Sequence, residues 1–235
     1  MPKSSKTLPT ALIVGASRGL GFAIAQTYLE RGWRVIATVR GKARTALHDL
    51  AAKAEGLLEV ETLDIAVPAE VAALRKRLAG RRLDLLFVNA GVLDEPVKTI
   101  ADISTEEFNR IMVTNALSPL RVIEALEELV PPAGTIGVMS SGLGSVANNT
   151  NGGYETYRAS KAALNTLMRS FAARHARDLR ALLIMDPGWV RTDMGGPDAQ
   201  LSVEESIPSL VDVITAQSGK KGLQYLDYRG RTVAW

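Results

Sequence analysis

Two stretches of this chain combine residue types and spacings that could do chemistry. In the first, Gly15-x-x-x-Gly19-x-Gly21 follows the apolar run Ala11-Leu12-Ile13-Val14 and opens a helical pattern. Such a turn suits the phosphates of a dinucleotide. Gly15 lets the backbone bend sharply at a strand end, Gly19 lets it approach a pyrophosphate with no Cβ in the way, and Gly21 allows close helix packing. The unpaired N–H groups and the positive dipole end of the helix then face the anion. In the second, Tyr157 and Lys161 stand four residues apart in a helical pattern, so they lie stacked on one helix face.

These groups need elements to position them. Leu20, Ala23, Ile24 and Tyr28 recur at helical spacing, Gly32 fits a helix stop, and Val35–Val39 reads as a second strand. A basic loop from Arg40 to Arg44 follows, where a dinucleotide fold meets the adenosine ribose. Folds that hold NAD place an acid there for the ribose 2′-hydroxyl, whereas arginine accommodates the 2′-phosphate of NADP. Val39 stands where that acid belongs, and Arg40 follows, with Arg18 as a second clamp. The expected cofactor is therefore NADP(H), with NAD(H) the alternative; the plainer reading makes Arg40 one more exposed arginine. A weak helix over 43–55 leads to a strand over 57–63 that ends in Asp64, which either meets an adenine edge or caps the next turn. Pro68 sits at a first helical turn.

The continuous apolar run Leu83–Val88, broken by Asp84, reads as a strand buried on both faces, and it ends in the small residues Asn89-Ala90-Gly91. Ser104 and Glu107 form a capping box for a helix reaching about Val130, with a kink at Pro119. Asn115 lies inside it, either exposed or held by a polar network. A strand over Thr135–Met139 precedes Ser140-Ser141-Gly142 and a polar loop to Gly153; a helix then runs from Tyr154 to about His175. Ala181–Met185 is a further strand, broken by Asp186-Pro187-Gly188, and a capping box at Ser202 and Glu205 precedes a short strand over Leu223–Tyr225. Strand and helix alternate throughout, the pattern of an α/β fold with a parallel sheet covered on both faces.

At 235 residues and 46% hydrophobic content, the chain can bury one large core as a single domain over 1–235, with 1–10 as a flexible tail. The net charge of +3 is modest and the 28 basic residues are dispersed, which argues against nucleic acid or a membrane surface as partner. Runs such as Arg75-Lys76-Arg77 and Arg81-Arg82 read as solvated faces, and His48 and His175 as surface residues. The absence of cysteine removes disulfides, thiolate catalysis and zinc clusters, and suits a reducing cytoplasm; no metal site is expected. No stretch reaches the length of a signal peptide core or a membrane span.

Taken together, Gly15-x-x-x-Gly19-x-Gly21, Asn89-Ala90-Gly91, Asn115, Ser141 and Tyr157-x-x-x-Lys161 closely resemble the short-chain dehydrogenase/reductase family. The similarity runs in order from about Leu12 to Thr192. The loop after Ser140 and the ending from Tyr225 resemble its carbonyl-reductase-like subset, which includes C-factor and Sniffer proteins. The resemblance implies a doubly wound Rossmann-type domain of about seven parallel strands in the order 3-2-1-4-5-6-7. It also implies an NAD(P)-linked interconversion of a small-molecule carbonyl and alcohol. By position Tyr157 becomes the general acid and base, Lys161 its electrostatic support and a holder of the nicotinamide ribose, and Ser141 the donor to the substrate carbonyl. Asn115 orders the water that returns protons to Lys161. A phenol with a pKa of about 10 is a reluctant acid at neutral pH, and a nearby ammonium stabilises its phenolate. The same resemblance puts Ser17, Arg18, Leu20, Arg40, Asp64, Ile65 and Asn89-Ala90-Gly91 around the cofactor. It puts Pro187, Gly188, Val190 and Thr192 on the nicotinamide side, and makes 189–206 the substrate-side loop. It further implies a homodimer or homotetramer through the helices carrying Asn115 and Tyr157, although the carbonyl-reductase-like subset includes monomers.

Three departures stand out. Val14 replaces a usual threonine and Val88 a usual asparagine, so fewer polar ties are expected around the cofactor loop. The interval from Ser141 to Tyr157 is long, with Ser140 and Ser145 as rival serines; an outward bulge over 148–153 accounts for the excess. Two other functions compete: a dinucleotide-binding sensor or signalling protein with little turnover, and a methyltransferase with a similar glycine turn. The first has no use for Asn115, Ser141, Tyr157 and Lys161 together, and the second lacks an acid at the second strand and leaves Tyr157 and Lys161 without a purpose.

Overall fold

The computed structural model describes residues 8–93 and 99–235. Seven strands form one fully parallel sheet in the order β3-β2-β1-β4-β5-β6-β7. They are β1 (Thr10–Val14), β2 (Arg34–Val39), β3 (Leu58–Thr62), β4 (Leu85–Val88), β5 (Thr135–Met139), β6 (Ala181–Asp186) and β7 (Gly222–Asp227). The helices are α1 (Gly19–Glu30), α2 (Ala46–Lys53), α3 (Pro68–Arg77), α4 (Thr105–Met112), α5 (Ser118–Leu126), α6 (Glu155–Arg174) and α7 (Val203–Ala216).

Alternate side chains along every strand but the edge strand β3 feed two cores; β3 gives Leu58 and Val60 to one of them and pairs Glu59 and Glu61 with arginines. Leu12, Val14, Leu86, Val88, Ile136 and Ile184 pack with Leu74, Ile123, Leu164 and Phe171, from the side of α3, α5 and α6. Ala11, Ile13, Val35, Phe87, Leu183 and Met185 pack with Ile24, Tyr28, Leu47 and Leu210, from the side of α1, α2 and α7. Burial on both faces is why these strands read as unbroken apolar runs. The order in which strands are added reverses between β1 and β4, which places the crevice of this open sheet at their carboxyl ends, where the glycine turn and Asn89 lie.

Three expectations need correction. β1 begins at Thr10, whose N–H donates to Asp84 Oδ2 at 2.9 Å, so the expected tail is too long at that end; residues 1–7 lie outside the described residues. The single kinked helix expected from Ser104 is α4, a π-helical turn at Val113–Leu117, α5 and a short 3₁₀ turn at Glu127–Leu129. Pro119 has no N–H to close an i→i−4 bond, and the wide turn directly precedes it. Of the two capping boxes, the one at Ser202 and Glu205 forms in both directions, while Ser104 caps Glu107 N but Glu107 turns to Arg110 instead. Among the described residues no helix is long and apolar enough to cross a membrane.

Candidate active site

The glycine turn is locked by close approach. Gly15 has φ +87°, and a Cβ there would lie 2.7 Å from Ala90 Cα. A Cβ on Gly21 would fall 2.1 Å from the Gly15 carbonyl oxygen and 2.6 Å from Asn89 Nδ2, which itself donates to that carbonyl at 2.8 Å. The polar ties expected to be missing are thus replaced. Thr38, on β2, accepts from Gly15 N through its Oγ1 at 3.0 Å, and its carbonyl accepts from Ala16 N at 2.8 Å. Thr38 is buried, and nothing in its local sequence marks it. Thr38→Val keeps the shape and strands the Gly15 N–H, a loss of about 1–3 kcal/mol. A thermal melt should show a Tm lower by several degrees.

The first turn of α1 contains no acid, and its N-cap, Arg18, makes no side-chain capping bond. Its N–H groups and the open space beside Gly19 therefore fit an anionic diphosphate. The other side of this cleft is the segment after β6. Thr192 Cγ2 lies 4.0 Å from the Cβ position of Gly19, and Arg18 pairs with Asp193 across the gap, both side chains exposed. Arg40 is exposed just beyond β2. Asp64 caps its own turn, its Oδ1 accepting from Ala66 N at 2.9 Å, and the Ile65 side chain is buried in the core. Val190 is likewise buried and bridges Leu201, and the Pro187 carbonyl accepts from Ser206 Oγ at 2.7 Å. Ser17 and Leu20 are half-buried on the turn itself.

Gly91, two residues past Asn89, stands beside the lysine. A Cβ on Gly91 would meet Asn115 Oδ1 at 3.3 Å and Lys161 Nζ at 3.5 Å. Asn115, fully buried in the π-helical turn, accepts from Val92 N and donates to Val92 O, both at 2.8 Å, and donates to Ser160 Oγ at 3.0 Å. This is the polar-network reading of Asn115. Lys161 Nζ donates to Met139 O at 2.8 Å and lies 5.7 Å from the centroid of the Tyr157 ring. Burial pushes the Lys161 ammonium down from 10.5 to about 8.

The three serines differ in use. Ser140 is buried and donates to Asn165 Oδ1 at 2.7 Å, and Ser145 is buried and accepts from Asn148 N. Ser141 is half-exposed at the end of β5, and its hydroxyl accepts from Leu143 N at 3.2 Å, which uses a lone pair rather than its proton. Residues 146–153 are all exposed, so the extra length before Tyr157 bulges outward. Sequence reasoning missed Asp186, which it took for a strand breaker; its half-buried carboxyl is pushed up by burial and accepts from Gly188 N at 3.0 Å. Of the histidines read as surface residues, His48 has a structural use, accepting from Thr45 N to complete the cap of α2.

The short chain dehydrogenase family model matches residues 9–201. The chain belongs to the short-chain dehydrogenase family. This short-chain dehydrogenase is 57% identical to a Burkholderia multivorans short-chain dehydrogenase/reductase crystallised with bound NADP, with a TM-score of 0.96 over 97% of this chain and 100% of that one. A carbonyl reductase from Pseudomonas aeruginosa in complex with NADP is 35% identical, with a TM-score of 0.89 over 97% and 100%. Among curated relatives, C-signal from Myxococcus xanthus is 36% identical over 155 residues, 65% of this chain and 93% of the relative.

Proposed function

We propose that this short-chain dehydrogenase is an NADPH-dependent carbonyl reductase, acting on aldehydes or ketones and running in reverse on alcohols. The observation that carries this reading is the run of contacts from the glycine turn, with Gly15 against Ala90 and Gly21 against Asn89, to Gly91 beside Lys161 Nζ, with Tyr157 on the same face of α6 as that lysine. The NADP bound by the Burkholderia and Pseudomonas structures supports the choice of cofactor. Gly15, Gly19, Gly21 and the α1 N–H groups would hold the diphosphate, Arg40 and Arg18 the 2′-phosphate, and Lys161 the nicotinamide ribose. When bound, NADPH supplies a hydride to the carbonyl carbon. Tyr157 donates its phenolic proton to the carbonyl oxygen, Lys161 stabilises the phenolate left behind, and Ser141 donates a hydrogen bond where negative charge develops. Asn115, bonded to Val92 on one side and Ser160 on the other, holds the end of β4 against α6 and so keeps the lysine's surroundings polar.

The test is NADPH oxidation with a panel of aldehydes, ketones and quinones. Turnover on at least one class is expected, and no turnover on any would overturn the reading in favour of a dinucleotide sensor. Arg40→Ala should raise KM for NADPH by about tenfold, the scale of one lost charged contact, while leaving KM for NADH unchanged. Equal use of NADH and NADPH by both proteins would remove the 2′-phosphate role.

A further inference from the structure

We propose that Tyr225 and Asp186 are positioning residues that fix Ser141 for carbonyl reduction, an inference that rests on the reading above. Ser141 belongs to no strand or helix: it lies between β5 and a single 3₁₀ turn at Gly142–Gly144. A donor on such a segment is placed only as well as its backbone is tied. Tyr225, buried on the edge strand β7, reaches across with its Oη to donate to the carbonyl of Ser141 itself. Burial pushes the Tyr225 phenol up, so it stays protonated and stays a donor.

Asp186 holds the next residue. Its carboxylate accepts from the backbone N–H of Gly188 at 3.0 Å and packs against Gly142. One side chain therefore bridges the serine segment and the Pro187-Gly188 turn, the two backbone stretches on the nicotinamide side of the site. The approach is close: a Cβ on Gly142 would lie 2.9 Å from Asp186 Oδ2. Asn165 on α6 completes the frame, accepting from Ser140 Oγ at 2.7 Å and donating to Gly144 O at 3.2 Å. The residues before and after Ser141 are thus referenced to the same helix that carries Tyr157 and Lys161. Tyr225 adds a bond made directly at Ser141, and Asp186 a close packing contact at Gly142. A shift of about 1 Å in a donor can cost on the order of a hundredfold in rate.

The experiment is a double-mutant cycle of Tyr225→Phe with Ser141→Ala, using whichever aldehyde, ketone or quinone turns over fastest. Tyr225→Phe keeps the ring and removes only the hydroxyl. It should lower kcat by about tenfold to a hundredfold, with unchanged NADPH affinity by fluorescence titration. In the Ser141→Ala background it should have no further effect on kcat, because the group it positions is gone. Full additivity, or a wild-type kcat in Tyr225→Phe, overturns the proposal. Asp186→Asn removes the charge that anchors the Gly188 N–H beside Gly142 and should show the same loss of effect in the Ser141→Ala background. This gives the test a second arm if Tyr225→Phe folds poorly. A wild-type rate in Ser141→Ala alone would remove the serine's role and the present inference with it, while leaving NADPH oxidation and its dependence on Tyr157 intact.

Discussion

Tyr157→Phe is expected to lower kcat/KM for carbonyl reduction by about 10²–10⁴-fold and to leave NADPH affinity within about twofold of wild type. The side chain is mostly buried at the start of α6, and phenylalanine preserves its ring, so the change removes a hydroxyl and little packing. What the hydroxyl does depends on its neighbour. Lys161 Nζ lies 5.7 Å from the ring centroid and is fixed there by its bond to Met139 O, so its charge acts on the phenol in a water-poor setting where Coulomb terms are strong. Because burial lowers the Lys161 ammonium to about 8, that support is present below pH 8 and fades as the pH rises through it. Reduction by the wild-type protein should therefore decline above about pH 8, while the residual rate of Tyr157→Phe stays flat over the same range. A variant that keeps more than about a tenth of the wild-type rate would place the proton elsewhere.

How far this site can be read in sequence depends on the distance over which each part is encoded. The strands are local signals: Leu85–Val88 and Ala181–Met185 are apolar because helices cover both faces of a parallel sheet. The glycine turn is local too, since Gly15 must adopt a positive φ within a few residues of a strand end. Tyr157 and Lys161 are paired by a single turn of one helix. Asn115 is harder, because its helical propensity argues against it, and its use appears only when the π-helical turn brings it to Val92 and Ser160. Thr38, Asp186 and Tyr225 carry no such signal. Each acts on backbone far away in sequence or in a neighbouring loop: Thr38 bonds to Gly15, Asp186 bonds to Gly188 and packs against Gly142, and Tyr225 bonds to Ser141. A threonine within a strand, an acid at a strand end and a tyrosine on an edge strand are all unremarkable residues in those places. Only the packing of neighbouring strands turns them into fixtures of the site.

Lys161→Met is expected to reduce turnover at least as severely as Tyr157→Phe, yet to leave the fold as stable as wild type or more so at pH 7. The lysine is 3% exposed, and its ammonium is bonded to Met139 O in a region dry enough to pull it from 10.5 to about 8. That shift corresponds to a stability cost of about 3 kcal/mol for keeping the charge inside. Methionine offers a similar unbranched chain with no charge to desolvate, and the change forfeits one hydrogen bond worth about 1 kcal/mol. The pH dependence carries the sign. Between about 8 and 10.5 the unfolded chain binds the proton that the folded chain has released, so wild-type stability rises with pH across that window. The burial penalty is full below pH 8 and gone above 10.5. Melting curves should show the variant's advantage greatest at about pH 7 and nearly absent by about pH 10. A variant less stable than wild type at pH 7 would mean that the ammonium is compensated within the fold and acts there as a structural tie. A more stable but inactive protein would mean that the buried charge costs stability and is kept for its action on Tyr157.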